Sequence, residues 1–414
     1  MTGIAVGIRV FQDTGNVAPL MIAAFFAELP GMVGGTFTGI LADRWDRRRV
    51  IMLGDAGQAA GTALLLISFL GGVFELWHLY AVMLVQGIFV TVQGPASSAA
   101  ITMLVPERHR DRANGIQEMG FPLAGVIAPP LTGALYAPAG VVGVMAFDLL
   151  TFTAAMIVVA LIAIPRPAES VEGAALRGGL WREMFGGWRY LVGRRTLLAM
   201  VIYIAFIDFL INGPLEMALP YVITVTGSEK ALGMLLGAMN LGALAGAASI
   251  AVIGHVHHRM RPIMTGYTIL GVMLVFCGIA RHPVLLGAAL FLVLFPLPLN
   301  GALFTSILQT KTPADVQGRV FAVTGQIFMM MTPFSFLLTG ALVDRALEPA
   351  VGTPAWEAVA PLVGKQAGAG MGLLLVIVGI IIVMTTLTMW SSPRIRRLEA
   401  SLPGYVTAAA PMEE

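Results

Sequence analysis

Three polar side chains recur at helical spacing inside one long apolar stretch of the sequence. Asp208, Asn212 and Glu216 follow one another at i, i+4 and i+8 within 196–220, so a helix would place them roughly on one face. Glu28 lies near the middle of a second apolar stretch, 17–41. If these stretches cross a membrane, each carboxyl group is desolvated and can take up and release a proton, while the amide can bind a ligand. The structural alternative is hydrogen bonding to a neighbouring helix.

The composition indicates that these stretches do cross a membrane. Of the 414 residues, 57% are hydrophobic and 12% are charged, whereas soluble domains carry roughly a quarter charged residues. Such a chain cannot cover a water-facing surface, so its apolar excess must face lipid. The net charge of +2 argues against nucleic-acid binding. The single cysteine, Cys277, excludes a disulfide framework or a thiolate metal cage.

Eleven apolar spans are long enough to cross the hydrocarbon core, which takes about 20 residues of helix. We expect them to be helices, because lipid offers no partner for an unpaired backbone group. The chain opens on a shorter apolar segment, 1–10, and shows no cleavable signal peptide. The predicted spans are 17–41, 50–72, 77–104, 114–136, 141–164, 196–220, 231–254, 262–280, 283–308, 319–343 and 368–391.

The basic residues indicate the orientation of these spans. Arginine and lysine concentrate in alternate loops, and the loops between them carry few. Because cytoplasmic loops are the ones enriched in these residues, we expect the basic loops and the C-terminus in the cytoplasm. The basic loops are those at 42–49, 105–112, 165–195, 255–261, 311–319 and 392–397.

The two halves of the chain resemble each other. An offset of 212 residues pairs Arg47 with Arg259, and an offset of 207 pairs Arg112 with Arg319. Parallel repeats of this kind are typical of transporters whose site lies between the halves. We therefore predict an N-terminal bundle over 1–164, a cytoplasmic linker over 165–195, a C-terminal bundle over 196–391 and a cytoplasmic tail over 392–414.

The repeat leads to one further expectation, about the start of the chain. At the offset of 212, residues 196–220 correspond to positions of about −16 to 8, so the first helix should begin before Met1. A segment of 1–10 is too short to span a bilayer, which puts the activity of the chain as written in doubt.

Residues 180–192 of the linker predict an amphipathic helix on the membrane surface, with a helical linker without membrane contact as the alternative.

The sequence GILADRWDRRR at 39–49 resembles the cytoplasmic signature of the major facilitator superfamily, G-x-L-x-D-R-x-G-R-[RK]. The resemblance implies an all-α membrane protein with two pseudo-symmetric six-helix bundles and a partial first helix here. It also implies a cytoplasmic gate, in which Asp43 faces the N-terminal end of a helix from the other half. Asp46 departs from the family glycine, so the turn geometry could differ. The implied gate residues are Gly39, Asp43, Arg44, Arg47, Arg48, Gly318 and Arg319.

Two further motifs of the family are present in degraded form, and the second of them favours export. MLVQG at 83–87 keeps Gln86 of the family pattern R-x-x-Q-G but has Met83 at the arginine, which puts that route of proton coupling in doubt. GVIAPPLTGA at 125–134 keeps Gly125, Pro130 and Gly133 of a pattern found in exporters. The order of motifs is most similar to the branch of macrolide-efflux proteins and the enterobactin exporter.

The resemblance also assigns candidate site residues. It places the span 196–220 on the central cavity, so we expect Asp208, Asn212, Glu216 and Glu28 to serve transport and proton coupling. Glu118 could cap its helix, form part of the gate or couple protons, and Asp55 and Asp148 are better explained structurally. Polar residues expected to contact substrate are Gln86, Gln93, Asn240 and Asn300.

Several other activities find no support. The HVHHR segment at 255–259 lacks an accompanying cysteine or carboxylate in sequence, so we predict no metal site. There is no phosphate-binding loop and no nucleophile elbow, so we predict neither an enzyme nor a cofactor. The sequence predicts a monomeric bacterial inner-membrane exporter of a small amphipathic compound, in exchange for protons and in contact with lipid. The alternatives are uptake of a lipid or metabolite, or a non-transporting membrane partner or sensor.

Overall fold

The structure is a computed structural model that describes residues 1–14, 18–162, 164–165, 185–217, 221, 224–225, 229–396, 398–401 and 405. Within these residues the regular structure is helical. The main helices are α1 (Thr2–Thr14), α2 (Ala18–Arg44), α3 (Arg47–Leu70), α4 (Leu76–Leu104), α5 (Arg110–Glu118), α6 (Gly120–Leu161), α7 (Gly186–Gly193), α8 (Arg195–Glu216), α9 (Glu229–Ile253), α10 (Met260–Ile279), α11 (Pro283–Leu294), α12 (Pro296–Lys311), α13 (Gln317–Leu342) and α14 (Ala369–Ser391). Short helical turns cover Glu107–His109, Val343–Leu347, Glu348–Ala350, Pro354–Ala358, Ala360–Val363, Pro393–Arg396 and Leu398–Ser401.

These helices match the predicted membrane spans. In the described residues, eight segments are long and apolar enough to cross a membrane, and Ile22–Gly35 and Gly237–Ile253 are shorter apolar helices within α2 and α9. The predicted span 114–136 is divided between α5 and α6. Helix α6 continues through the predicted span 141–164 and bends at Gly140, whose φ of 60° suits a residue without a Cβ. The prediction of an all-α membrane protein is confirmed.

Asp46, the departure from the family signature, has a local structural role. It precedes α3, and its carboxyl group accepts a hydrogen bond from the backbone N–H of Arg49 at 3.2 Å. A side chain at this position satisfies a backbone donor that the first helical turn leaves open. Asp46 therefore caps α3 directly after the sharp turn that ends α2.

Two groups of helices form the two halves of the molecule. Helices α1 to α6 pack on one another, and α8 to α14 pack on one another around a larger apolar core. In the first half, the Thr2 hydroxyl donates to the Asp148 carboxylate at 2.6 Å and joins α1 to α6. In the second half, the hydroxyl groups of Tyr203 and Thr386 are hydrogen-bonded at 2.8 Å between α8 and α14.

The halves meet along α2 against α13 and along α5 against α9 and α12. Glycines allow the close approach. A Cβ built on Gly31 of α2 would lie 2.3 Å from Met329 Cε of α13, and one on Gly115 of α5 would lie 2.8 Å from the backbone nitrogen of Ala251 in α9. At Gly115 the close atom belongs to the backbone, so a residue without a side chain is required there, whereas at Gly31 the flexible end of Met329 can move aside.

The linker is described only from Phe185 onward. Helix α7 covers the C-terminal part of the predicted amphipathic helix, and 180–184 lie outside the described residues. Trp188 of α7 packs against the core of the second half, whereas Arg189 is exposed. The Tyr190 hydroxyl donates to the Lys311 carbonyl at 2.7 Å, and burial raises the pKa of that phenol, which keeps it a donor.

Candidate transport cavity and its closed basic end

A cavity of about 630 Å³ lies between the two halves. Helices α2, α4 and α5 of the first half and α12 and α13 of the second half line it. Its wall is mainly apolar and aromatic, with scattered hydroxyl and amide groups. Polar side chains in the wall are Thr38, Thr91, Gln93, Ser97, Ser98, Gln117, Glu118, Thr305, Thr324 and Gln326, and the aromatic ones are Phe304, Phe321 and Phe328.

Glu118 is the one ionisable side chain among the described residues of this wall. It ends α5, and its carboxyl group lies over Gly301 of α12, where a built Cβ would stand 3.4 Å from Oε1. No hydrogen bond or ion pair joins this carboxyl group to another described residue. The cavity thus contains an acidic group that touches both halves and lacks a counter-charge.

Buried amide and hydroxyl groups close the cavity at one end. Asn114 of α5 donates through Nδ2 to Ser306 Oγ and to Gln309 Oε1 of α12, both at 2.8 Å. Gln309 Nε2 in turn donates to the Ser98 carbonyl of α4 at 2.8 Å. A fourth bond runs from the Thr102 hydroxyl to Gln317 Oε1 of α13 at 3.0 Å. We call Thr102, Asn114, Ser306, Gln309 and Gln317 the amide floor; each is at most 2% exposed.

Below the amide floor, two arginines that the repeat pairs reach into opposite halves. Arg47, the first residue of α3, donates to the carbonyls of Ala99 in its own half, at 2.8 Å, and of Ala314 in the other. Arg259 of the second half binds Asp111 of α5, with Nε 2.6 Å from Oδ1. The fully buried Asp111 also accepts the Val256 N–H at 2.9 Å. This end of the molecule, with its arginines, is called the basic end below.

The segment after α14 adds contacts to the same end. Glu399 lies 3.4 Å from Arg259 Nη1, and its carbonyl accepts a hydrogen bond from Lys311 Nζ at 2.6 Å. The Tyr405 backbone N–H donates to the Thr310 carbonyl at 2.9 Å, and Arg194 donates to the Tyr405 hydroxyl at 2.9 Å. The C-terminal segment therefore packs under α12, beside the arginine that bridges the halves.

The predicted coupling residues lie outside the wall of this cavity. Asp208 is half-buried on α8 near Tyr267, and its carboxyl group has no hydrogen bond or ion pair to a described residue. Asn212 donates to the backbone carbonyl of Asp208 at 2.7 Å. Glu216, at the end of α8, and Glu28, on α2, are exposed. The cavity carboxylate is instead Glu118, for which the sequence left three roles open.

The predicted polar cavity residues separate into different environments. Gln93 lines the cavity and joins Asp55 and Gln58 at 2.7 and 2.8 Å, whereas Gln86 bonds the Gln58 carbonyl at 2.8 Å between α3 and α4. Asn240 lies at the crossing of α9 with Gly125, between the halves. Asn300 differs most from expectation, because it is fully buried within the second half.

The predicted gate residues are partly described. Gly39, Asp43 and Arg44 belong to the last turns of α2, and their side chains lie outside the described part of the structure. Arg48 donates to the Ala160 carbonyl of α6, within its own half. Gly318 and Arg319 lie in the first turn of α13, where Arg319 is buried at the basic end.

The predicted exporter motif falls in α6. Gly125 approaches Asn240 of the other half, with a built Cβ 3.0 Å from Oδ1, whereas Gly133 has open space around it. Pro130 is helical, and its side chain lies outside the described residues. Of the three positions, Gly125 is the one that the structure brings to the interface between the halves.

Sequence reasoning missed the amide floor and the pair of Asp111 with Arg259. Asn114 was visible as part of the motif RANG, and Gln309 and Gln317 follow one another at the ends of two apolar helices. Their partners lie about 200 residues away in the chain, from Asn114 to Ser306 for example. His255 lies 3.5 Å from Asp111, so the HVHHR segment does have a carboxylate neighbour, supplied by the other half.

Two pseudo-symmetric helical halves around a cavity that spans their interface define a multi-pass membrane transporter. The chain belongs to the Major Facilitator Superfamily, whose family profile matches residues 1–336. Macrolide efflux protein A of Streptococcus pyogenes is 24% identical over 359 residues, which are 83% of this chain and 85% of that protein. Enterobactin exporter EntS of Citrobacter koseri is 27% identical over 332 residues, 77% and 76% of the two chains.

The fold is that of solved members. The proton:xylose symporter XylE, bound to 6-bromo-6-deoxy-D-glucose, superposes with a TM-score of 0.69 over 97% of this chain and 95% of that one, at 14% identity. These comparisons confirm the family and the branch that the sequence motifs predicted.

Proposed function

We propose that the chain is a secondary active transporter that exports a partly hydrophobic small molecule across the bacterial inner membrane in exchange for protons. The observation that carries the proposal is the cavity between the halves, which the amide floor closes at one end. A cavity of this volume suits a drug-sized ligand. Contacts between the two halves that close one end of a site are what an alternating-access cycle must break and re-form.

The basic end is proposed to face the cytoplasm, because its arginines follow the positive-inside pattern. Opening would then require separation of α5 from α12 and of Arg259 from Asp111. The crossings of Gly31 with Met329 and of Gly35 with Gln326 give the register of α2 against α13. Continued two turns further, this register brings the backbone of Asp43 near the first turn of α13, which supports the proposed gate.

Among the membrane carboxyl groups without a described partner, the two partly buried ones, Asp208 and Glu118, are candidates for the proton exchange, whereas Glu28 and Glu216 are exposed. Glu118 touches the cavity, whereas Asp208 lies within the second half beside Tyr267. A carboxyl group without a fixed cation can gain or lose a proton when its exposure changes between conformers. The direction of transport is proposed as export because the relatives are an efflux protein and an exporter by name.

The proposal is tested by extrusion from a drug-sensitive bacterial host combined with a reversible cross-link. Asn114 and Ser306 contact each other across the halves, so we would replace both by cysteine, in a Cys277→Ser background, and bridge them with a short bis-methanethiosulfonate. We expect cross-linking to stop extrusion and reduction to restore it. The matched control is a Glu357→Cys/Lys365→Cys pair, which lies within one half and outside the cavity and should transport equally in both states.

Two outcomes would contradict the proposal. One is that the chain extrudes no member of a panel of structurally diverse compounds, including macrolides and siderophores. The other is undiminished extrusion while the Asn114→Cys/Ser306→Cys pair is fully bridged, because the basic end would then not need to open.

A further inference from the structure

The carboxyl group of Glu118 is the one ionisable group among the described residues of the cavity wall, which is otherwise apolar, aromatic or neutral polar. Phe304 of α12 and Phe328 of α13 line the same cavity, with ring centroids 5.8 Å apart. Phe321, which precedes Phe328 on α13, also lines it. No lysine, arginine or histidine belongs to the described lining. The nearest approach to the carboxyl group from the other half is the backbone of Gly301.

An ionised carboxylate in such a wall lacks the partner that buried charges require. Removing a charge from water costs several kcal/mol unless an opposite charge or hydrogen bonds replace the water. The half-buried Glu118 faces the cavity, where water can solvate its charge. Because the described wall supplies no positive charge, a ligand that displaces this water is favoured when it brings a positive charge of its own. A ligand with a positive head and apolar rings would pair its charge with the carboxylate. Its rings would pack against the phenylalanines, and its charge would also be attracted to the faces of their rings.

The position of the group at the boundary of the halves adds selectivity. Glu118 belongs to α5, and the glycine beneath it belongs to α12, so a cation bound there contacts both halves. A Cβ at Gly301 would already be in van der Waals contact with the carboxyl group, so a side chain longer than that of alanine would occupy the space for the ligand's head. An anionic ligand of the same shape would be repelled by the unpaired carboxylate.

We infer that Glu118 and Gly301 form a cation subsite, which makes singly charged, aromatic organic cations the preferred ligands of the cavity. The inference rests on the proposed function for the role of the cavity and adds to it the charge class of the ligand. The carboxylate binds the positive head, the phenylalanines hold the apolar body, and Gly301 provides the space between them.

Binding to the purified full chain in detergent tests the inference with ions of one shape and opposite charge. Labelled tetraphenylphosphonium is the probe, and tetraphenylborate and neutral triphenylphosphine oxide are the competitors. We expect the chain to bind the phosphonium ion and to discriminate against the borate ion. Glu118→Gln should weaken phosphonium binding by about tenfold or more, the loss expected for one desolvated charge pair, and should leave the neutral compound unaffected.

Two further variants keep the test valid if Glu118→Gln folds poorly. Glu118→Asp retains the charge and should retain the preference for the cation. Gly301→Leu should weaken phosphonium binding, because its side chain extends beyond a Cβ position that already touches the carboxyl group. Glu357→Gln removes an exposed carboxylate paired with Lys365 far from the cavity and should bind like the unaltered chain. Size-exclusion profiles establish that each variant is folded.

The outcomes separate this inference from the proposed function. If the Glu118→Gln variant binds phosphonium as well as the unaltered chain, or if the borate ion competes as strongly as the phosphonium ion, the cation subsite is wrong. Extrusion of neutral compounds could still establish transport in that case. If phosphonium binds through Glu118 but no compound is extruded, the subsite stands and the proposed function falls.

Discussion

Asn300 shows how the surroundings of one residue can differ from the expectation that its type creates. An amide in an apolar span suggests contact with substrate, yet Asn300 is fully buried on α12 against Gly266 of α10. Neither its Oδ1 nor its Nδ2 has a hydrogen-bond partner among the described residues. Burying an amide without partners costs about 1–3 kcal/mol, so in this conformer Asn300 lowers the stability of the second half.

We therefore expect Asn300→Leu, which keeps the approximate volume, to raise the thermal stability of the purified protein. The gain should be about 1 kcal/mol, because the unsatisfied amide is removed while packing is largely kept. Thermal unfolding in detergent measures the change, and Asn300→Ala, which leaves a cavity, should unfold at lower temperature. A Leu variant with unchanged stability and no extrusion would instead mean that Asn300 contacts the ligand in another conformer.

Asp208 stays the principal coupling candidate within the second half. Its carboxyl group has no partner that the structure describes, so replacing it by an amide should cost little folding energy. We expect Asp208→Asn to insert normally and to lose extrusion driven by a proton gradient. The control is Asp148→Asn, which replaces the charged acceptor of the Thr2 hydrogen bond by a neutral amide and should lower stability while extrusion continues. Undiminished extrusion by the Asp208 variant would exclude the coupling role.

At the level of helices, the sequence predicted the spans well because their length and hydrophobicity are local properties. The caps were also accessible in principle, since Asp46 is a good capping residue directly before an apolar run. The helix pairs that form the interface were not accessible, because the crossing of α5 with α9 depends on residues 135 positions apart, Gly115 and Ile250. Glycines at such crossings are visible in the sequence, but their partners are not.

The crossing of α5 with α9 should be sensitive to a single methyl group. A Cβ at Gly115 would lie 2.3 Å from Ile250 Cγ2 and 2.8 Å from the Ala251 backbone nitrogen, and the backbone cannot move aside as a side chain can. We expect Gly115→Ala to hold the basic end open and to reduce the cross-linking yield of the Asn114→Cys/Ser306→Cys pair several-fold. Gly133→Ala, with open space around it, is the matched control. Equal yields in both variants would contradict the tight crossing.

At the level of the whole molecule, the repeat explains which contacts bridge the halves. Arg47 and Arg259 are equivalent in the repeat, and each reaches from its own half to the other. The two contacts differ in strength, because Arg47 meets a carbonyl across the interface and Arg259 meets a carboxylate. The cavity itself could not be predicted from the sequence, since it arises where five helices from both halves diverge above the amide floor.

The charged bridge should behave as a buried pair in a double-mutant cycle. Arg259→Ala removes the ion-pair partner of the buried Asp111 carboxylate and leaves it His255, the Val256 N–H and the attraction of neighbouring Arg110; breaking a buried pair typically costs about 3–5 kcal/mol. Adding Asp111→Asn removes that charge, so we expect the double variant to be more stable in thermal unfolding than Arg259→Ala alone. Strictly additive losses would mean that the two side chains do not act as a pair.

The orientation proposed for the whole molecule rests on the arginines of its basic end. Arg112 is exposed at that end, and Val73 is exposed at the opposite end, beyond α3. Because the natural cysteine, Cys277, is buried, single cysteines at these positions report their own accessibility. In intact cells a membrane-impermeant maleimide should label Val73→Cys, whereas Arg112→Cys should react only after permeabilisation. The opposite pattern would place the arginines outside the cell, and the amide floor would then close the external side of the cavity, which would contradict the proposed orientation.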